Sequence, residues 1–224
     1  MPIFLRSVGI VTALGFACLL GCGESGEKSS SGGGGAKGSS GETKAAPPTA
    51  KKIDVSKLPK LGDYLPPLAG GTIEIAGPDG WTVLPKNTKD PTMLAWYYLK
   101  DKASLPRIEI KVNDNPLTDI TEVTDENVGE FSQKLKAEIK KTRSDKEIIE
   151  HCIPLLLEDG PWVRYVRVAK NRSGDLVQIQ SLQTIRNDKI YSVDLLIDGV
   201  EAADMKKHKD FGYTVAAGIK FKGK

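Results

Sequence analysis

Cysteine and histidine supply many of the nucleophiles, general bases and metal ligands of proteins, and this 224-residue chain holds three of the one and two of the other. His151 and Cys152 are adjacent inside "EIIEHCIPLLLE", a run that reads as a strand. Successive strand side chains point to opposite faces, so the two cannot act on each other as base and nucleophile. A thiol enzyme would need His208 as its base. The expectation is instead a small buried apolar role for Cys152, with His151 on the other face. The sequence contains no G-x-S-x-G, H-E-x-x-H, C-x-x-C, P-loop or dinucleotide fingerprint, so no catalytic residue and no cofactor is expected. No metal site is expected either. "NDN" at Asn113–Asn115 could open a calcium loop, but the glycine and the distal glutamate at the required spacing are missing. It is read as a turn.

The remaining two cysteines lie near the start of the chain. Cys18 falls within Val8–Leu20, an unbroken stretch of 13 apolar or small residues behind a single charge, Arg6. That is the layout of a signal peptide, and it is short of the roughly 20 residues that a membrane-spanning helix needs. The stretch ends at Leu19, Leu20, Gly21 and Cys22, which together resemble the lipobox of bacterial lipoproteins. The resemblance implies removal of residues 1–21 and acylation of Cys22, each buried methylene adding about 0.8 kcal/mol of membrane affinity. It places the protein in a bacterial cell envelope, membrane-anchored through Cys22 and facing the periplasm or the exterior.

Residues 22–52 read as a disordered tether: eight glycines and six serines follow Cys22, then "AAPPTAKK", with almost nothing that buries surface. As a flexible coil, thirty such residues span roughly 30 Å. Residues 53–70 form a Pro-rich lead-in, and residues 71–222 suit one domain. From Ile53 onward, 26 Lys and Arg face 26 Asp and Glu, so the formal net charge of +3 arises before the domain. A charge-balanced domain lacks the footprint of nucleic-acid binding.

Within the domain, Ile73 and Ile75 alternate and lead through "GPDG" to Trp81 and Val83, predicting a strand, a turn and a second extended piece at the sheet's first edge. "MLAWYYLK" and "PRIEIKVN" predict two neighbouring strands. Val128, Phe131, Leu135 and Ile139 recur at three and four residues behind Thr124, Asp125 and Glu126, predicting an amphipathic helix with a cap and an acidic first turn. "EIIEHCIPLLLE", "PWVRYVRVAK", "DLVQIQSLQTIR" and "KIYSVDLLID" predict a four-stranded antiparallel meander. Met205 to Ile219 predict a closing amphipathic helix with Gly212 as a weak point. The fold class is therefore α+β, an antiparallel sheet with two amphipathic helices packed on it. "GPDGW", "DGPWVRYVRV", "GDLVQIQSLQTI", "KIYSVDLLID" and "AAGIKF", in that order over about residues 70–222, resemble the sandwich fold shared by the photosystem protein PsbP and the Ran-binding protein Mog. In that family the domain usually binds another macromolecule, so the resemblance implies a binding partner.

Lys134, Lys136, Lys140, Lys141 and Arg143, with Lys206, Lys207 and Lys209, could form a cationic interaction surface or simply two solvated helix faces. Trp81, Trp96 and Trp162 with Tyr97 and Tyr98 could line a groove or fill a core. Three readings follow. The first is a non-catalytic binding or assembly module for an envelope protein partner. A carrier of a small apolar ligand or lipid would need a pocket between sheet and helices, and a hydrolase or thiol enzyme would need Cys152 or clustered carboxylates in a cleft.

Overall fold

The structure, a computed structural model, describes residues 46–84, 90–101, 105–144, 147–171, 173–199 and 201–222. The predicted signal peptide, Cys22 and the predicted tether up to residue 45 lie outside the described residues. Along the chain run β1 (Lys51–Lys52), β2 (Leu61–Tyr64), β3 (Ile73–Glu74), β4 (Ala76–Pro78), β5 (Thr82–Leu84), β6 (Met93–Tyr98) and β7 (Arg107–Asp114). Then come α1 (Val128–Thr142), β8 (Ile148–Leu157), β9 (Gly160–Lys170), β10 (Leu176–Arg186), β11 (Lys189–Asp198), α2 (Ala202–Gly218) and β12 (Lys220–Phe221).

Eight strands form the main sheet in the order β1-β8-β9-β10-β11-β7-β6-β5. All its pairs are antiparallel except β1 with β8. The predicted meander is β8 to β11, and β6 pairs with β7 as predicted. Between β10 and β11 the two loop residues Asn187 and Asp188 take φ of 50° and 58°. Positive φ at both is what lets a two-residue turn follow the twist of its strands, and Asn and Asp tolerate it.

Side-chain alternation sends the two helices to opposite faces. Trp162, Val166, Leu182, Val193 and Leu195 enter one core together with Met205, Val215 and Ala216 of α2. Their strand neighbours Val163, Tyr165, Ile185 and Ile190 enter a second core with Val128, Phe131, Leu135 and Ile139 of α1. Each fully buried large apolar side chain contributes about 1.5–3 kcal/mol, so both helices are held chiefly by these stripes. The α+β class stands, with one helix on each side of the sheet.

Four expectations change in detail. Of the two extended pieces predicted at the sheet's first edge only the second lies in the main sheet: β5 forms one of its edges, whereas β3 pairs with β12 and β4 with β2. Both Ile73 and Ile75 are buried in the α2-side core, and that burial turns this stretch away from the sheet. The helix α1 begins after a turn: Asn127 is its N-cap residue without a side-chain cap bond, its Oδ1 instead accepts from the Thr124 N–H at 2.7 Å, and Glu130 is the acid of the first turn. The second helix is not amphipathic throughout, because Gly212–Ala216 are buried on every side. The lead-in segment covers its outer surface, and the Pro59 carbonyl accepts a hydrogen bond from Thr214 Oγ1 at 3.1 Å. Finally, Ala46–Lys52 run on the domain although their composition is that of the tether. Lys51 and Lys52 pair with Leu155 and Leu156, and the Ala46 carbonyl accepts from Gln133 Nε2 at 3.2 Å. Gly129 permits this docking, since a Cβ there would stand 2.6 Å from the Pro48 carbonyl oxygen.

Candidate functional site

Burial decides the fate of the thiol. Cys152 is half-buried against the α1-side core, and burial pushes its thiol up to about 12, with Lys136 nearby pulling the other way. A thiolate nucleophile needs the opposite surroundings. His151 is exposed, and His208 sits on α2, across the sheet from Cys152, stacked 6.4 Å from Phe211. Neither histidine meets the thiol. Asn113–Asn115 are a strand end and a turn: Asp114 pairs with Lys189 at 2.6 Å, and Asn115 Oδ1 accepts from the Leu117 N–H at 2.9 Å. Among the described residues no group of three or more His, Cys, Asp or Glu could hold a metal ion, and no helix is long and apolar enough to cross a membrane.

The cationic residues do not form one surface, because their helices lie on opposite faces of the sheet. On α1, Lys134 bonds Asp119 and Glu130 at 2.5 and 2.7 Å, and Lys141 bonds Glu138 at 2.7 Å. Lys136, Lys140 and Arg143 share that helix or its C-cap. On α2, Lys207 lies 3.8 Å from Asp204, whereas Lys206 and Lys209 line a cleft. The tryptophans are likewise dispersed. Trp162 is in the α2-side core with Tyr97, Trp81 packs on Phe211 at 5.2 Å, and Trp96 lies on the opposite face with Tyr98 across from Glu109 and Arg107.

The cleft, about 370 Å³, opens where β1, β8 and β9 meet α2. Its base is built by Arg164, which alternation places on the α2 face of β9 and which is only 5% exposed. A buried guanidinium needs a partner, and Glu150 supplies one: its two oxygens accept from Arg164 Nη1 and Nη2 at 2.5 and 3.1 Å. Register irregularities on both sides of Glu150 in β8 re-aim this carboxylate onto the arginine's face. The two hydrogen bonds hold the Glu150 carboxyl below the usual carboxylate range, against burial. Gln180 Oε1 accepts from Arg164 Nε at 3.3 Å and its Nε2 donates to the Lys209 carbonyl at 2.9 Å, so the base of the cleft is tied to α2. Gly212 is what lets α2 come this close: a Cβ there would stand 2.5 Å from Gln180 Nε2. Ile153, Leu155 and Tyr213 give the cleft an apolar wall, and Lys51 joins Lys206 and Lys209 at its rim.

A second constellation occupies the sheet face that carries α1, but over β10, β11, β7 and β6 rather than under the helix. The Arg107 guanidinium stacks 5.2 Å from the Trp96 ring centre, and its Nε lies 3.1 Å from Glu109 Oε1. Lys111 Nζ sits 2.5 Å from Glu109 Oε2 and 3.7 Å from Asp194, which accepts from Ser181 Oγ at 2.7 Å. Burial pushes the Asp194 carboxyl up, and Lys111 and Ser181 only partly offset it. Sequence reading passed over both constellations. The alternating charges of "RIEIK" were the available signal for the second, but nothing in the order of residues paired Arg164 with Glu150.

The chain matches no protein-family model and no curated protein. Among solved structures it is similar to a protein of Bacteroides thetaiotaomicron at 9% identity and TM-score 0.42; the match covers 73% of this chain and 49% of that one, so this chain spans about half its length. It is also similar to cyanobacterial PsbP (CyanoP) from Synechocystis sp. PCC 6803, at 15% identity and TM-score 0.40, covering 68% and 88%. A third is LpqN, described as involved in cell envelope biogenesis of Mycobacterium tuberculosis, at 13% identity and TM-score 0.44, covering 67% and 83%. Likeness this distant says nothing of what the chain does.

Proposed function

We propose that this chain is an envelope lipoprotein, anchored through an acylated Cys22, whose domain is a non-catalytic binding or assembly module for a protein partner. The observation that carries the reading is the sequence from Leu19 onward: residues that resemble a lipobox, then a polar stretch, then a chain that docks on its domain from Ala46. An anchor with slack behind it serves a domain that must meet something near a membrane. The face bearing Trp96, Arg107, Glu109 and Lys111 supports a protein partner. Tryptophan and arginine are the residues that dominate binding hot spots, and here stacking and ion pairs already hold them in place. The partner this face fits carries mixed charge of complementary order.

The test is the intact mass of the membrane-bound product from a bacterial host, alongside a Cys22→Ala control. Loss of 21 residues with an added acylglyceryl mass, abolished in the control, is the expected result. A freely soluble, unlipidated product would sink the anchor. For the partner, photo-crosslinking from position 98 is expected to capture one envelope protein, and Trp96→Ala with Arg107→Ala to abolish that adduct. Adducts unaffected by the double substitution would remove this face from the reading.

A further inference from the structure

The cleft between β8 and α2 differs from every other charged site described above in how its cations are partnered. Arg164 is committed to Glu150 and Gln180. Lys51, Lys206 and Lys209, by contrast, make no ion pair with a carboxylate among the described residues, while the lysines of α1 beside Asp119, Glu130 and Glu138 do. Four cationic side chains thus converge on one carboxylate, and that carboxylate is already bonded twice. The excess positive charge stands over a wall made by Ile153, Leu155 and the Tyr213 ring, with Ile153 left 37% exposed. A site that is cationic at its rim and apolar along its side has the chemistry to hold an amphiphile by an anionic head. Its volume of about 370 Å³ is within the range of ligand sites, roughly 300–1,000 Å³.

Lys51 belongs to β1, the first strand among the described residues, and β1 lies along β8, the strand that contributes Glu150, Ile153 and Leu155. The residues just before it, Ala46 to Pro48, lie along α1 on the other face of the sheet, so the chain crosses the sheet edge to bring Lys51 to the cleft. We infer that it binds the phosphate of an anionic phospholipid, with Lys51, Lys206 and Lys209 on the phosphate and the apolar wall against the adjoining glycerol and first methylenes. The domain would then dock on the membrane that anchors it, with one end fixed. This rests on the anchor reading for the source of the ligand, though not for the chemistry of the site.

Lysine acylation mapped by mass spectrometry tests it on the full anchored protein. In nanodiscs of phosphatidylcholine with about one-third phosphatidylglycerol, Lys206 and Lys209 should react at least fivefold more slowly than in phosphatidylcholine alone. Lys136 and Lys140, on the other side of the sheet, should change less than twofold. In a Lys206→Gln, Lys209→Gln variant, whose side chains are at the surface, the protection of Lys51 should disappear. Equal protection of all lysines would mean general attraction to an anionic surface and would overturn the site, as would no protection at all. Ten millimolar inorganic phosphate in phosphatidylcholine discs separates the two sources of the anion: full protection by phosphate alone would overturn the lipid. A failure of the anchor is distinguishable, since the chain would then not enter discs, and the same lysines would be read on the soluble form with phosphatidylglycerol vesicles.

Discussion

Replacing Glu150 by glutamine keeps the shape of the cleft and removes the charge that neutralises Arg164. The cost lies between two limits. Breaking a fully buried ion pair from one side costs about 3–5 kcal/mol, because the surviving charge is left without a counter-ion. A surface pair is worth about 0–1 kcal/mol. Here the arginine side chain is 6% exposed and the glutamate 38%, so water screens one partner and not the other. A loss of about 2 kcal/mol follows, which for a domain of this size lowers the melting temperature by about 4–8 °C. The pH dependence has a definite sign. The Glu150 carboxyl is held below its ordinary value by Arg164, so its contribution is present above about pH 4.5, where the unfolded carboxyl is ionised, and is lost as the pH falls through the folded value. The difference between wild type and Glu150→Gln should therefore shrink as the pH falls below about 4.5. Adding Arg164→Met to Glu150→Gln should recover much of the loss, since the double variant buries no unpaired charge. Thermal unfolding followed by circular dichroism reads all three. A Glu150→Gln variant within 1 °C of wild type at pH 7, or a difference independent of pH, would refute the assignment of this pair as the base of the cleft.

Two further outcomes follow from burial elsewhere. With its thiol pushed up to about 12, Cys152 should alkylate at pH 8 at least 100-fold more slowly in the folded protein than in denaturant; a folded rate within tenfold of the unfolded one would contradict the packing on α1. Asp194 is raised by burial, so its ionisation costs stability as the pH rises above about 4, and Asp194→Asn should leave the melting temperature at pH 7 unchanged or higher. A fall of more than about 4 °C would show that the bond from Ser181 and the attraction of Lys111 outweigh desolvation.

The meander was legible because β9, β10 and β11 alternate cleanly and are separated by residues that turn well, Asn187 and Asp188 among them. The α1 stripe was legible for the same reason at helical period. What escaped was everything set by distant backbone. Lys51 and Lys52 look like tether because nothing in their side chains calls for a strand; the unpaired edge of β8 recruits them. The burial of Gly212–Ala216 on all sides depends on the lead-in lying over α2, a contact between segments some 150 residues apart. Arg164 is tolerated on the α2 face because two irregularities in β8, which no local pattern announces, turn Glu150 towards it. That the cationic residues of the two helices lie on opposite faces of the sheet was not legible either, since composition carries no information about which face of a sheet a helix takes.

The pairings of the described chain also impose an order on its assembly. Neighbouring strands from β8 to β11 meet across turns of a few residues, so these hairpins close at little entropic cost. The first strand, by contrast, waits for a partner about a hundred residues downstream, and β3 waits for β12 nearly at the other end of the chain. The first described strand, although it precedes the meander by about a hundred residues, thus pairs only once β8 has been made.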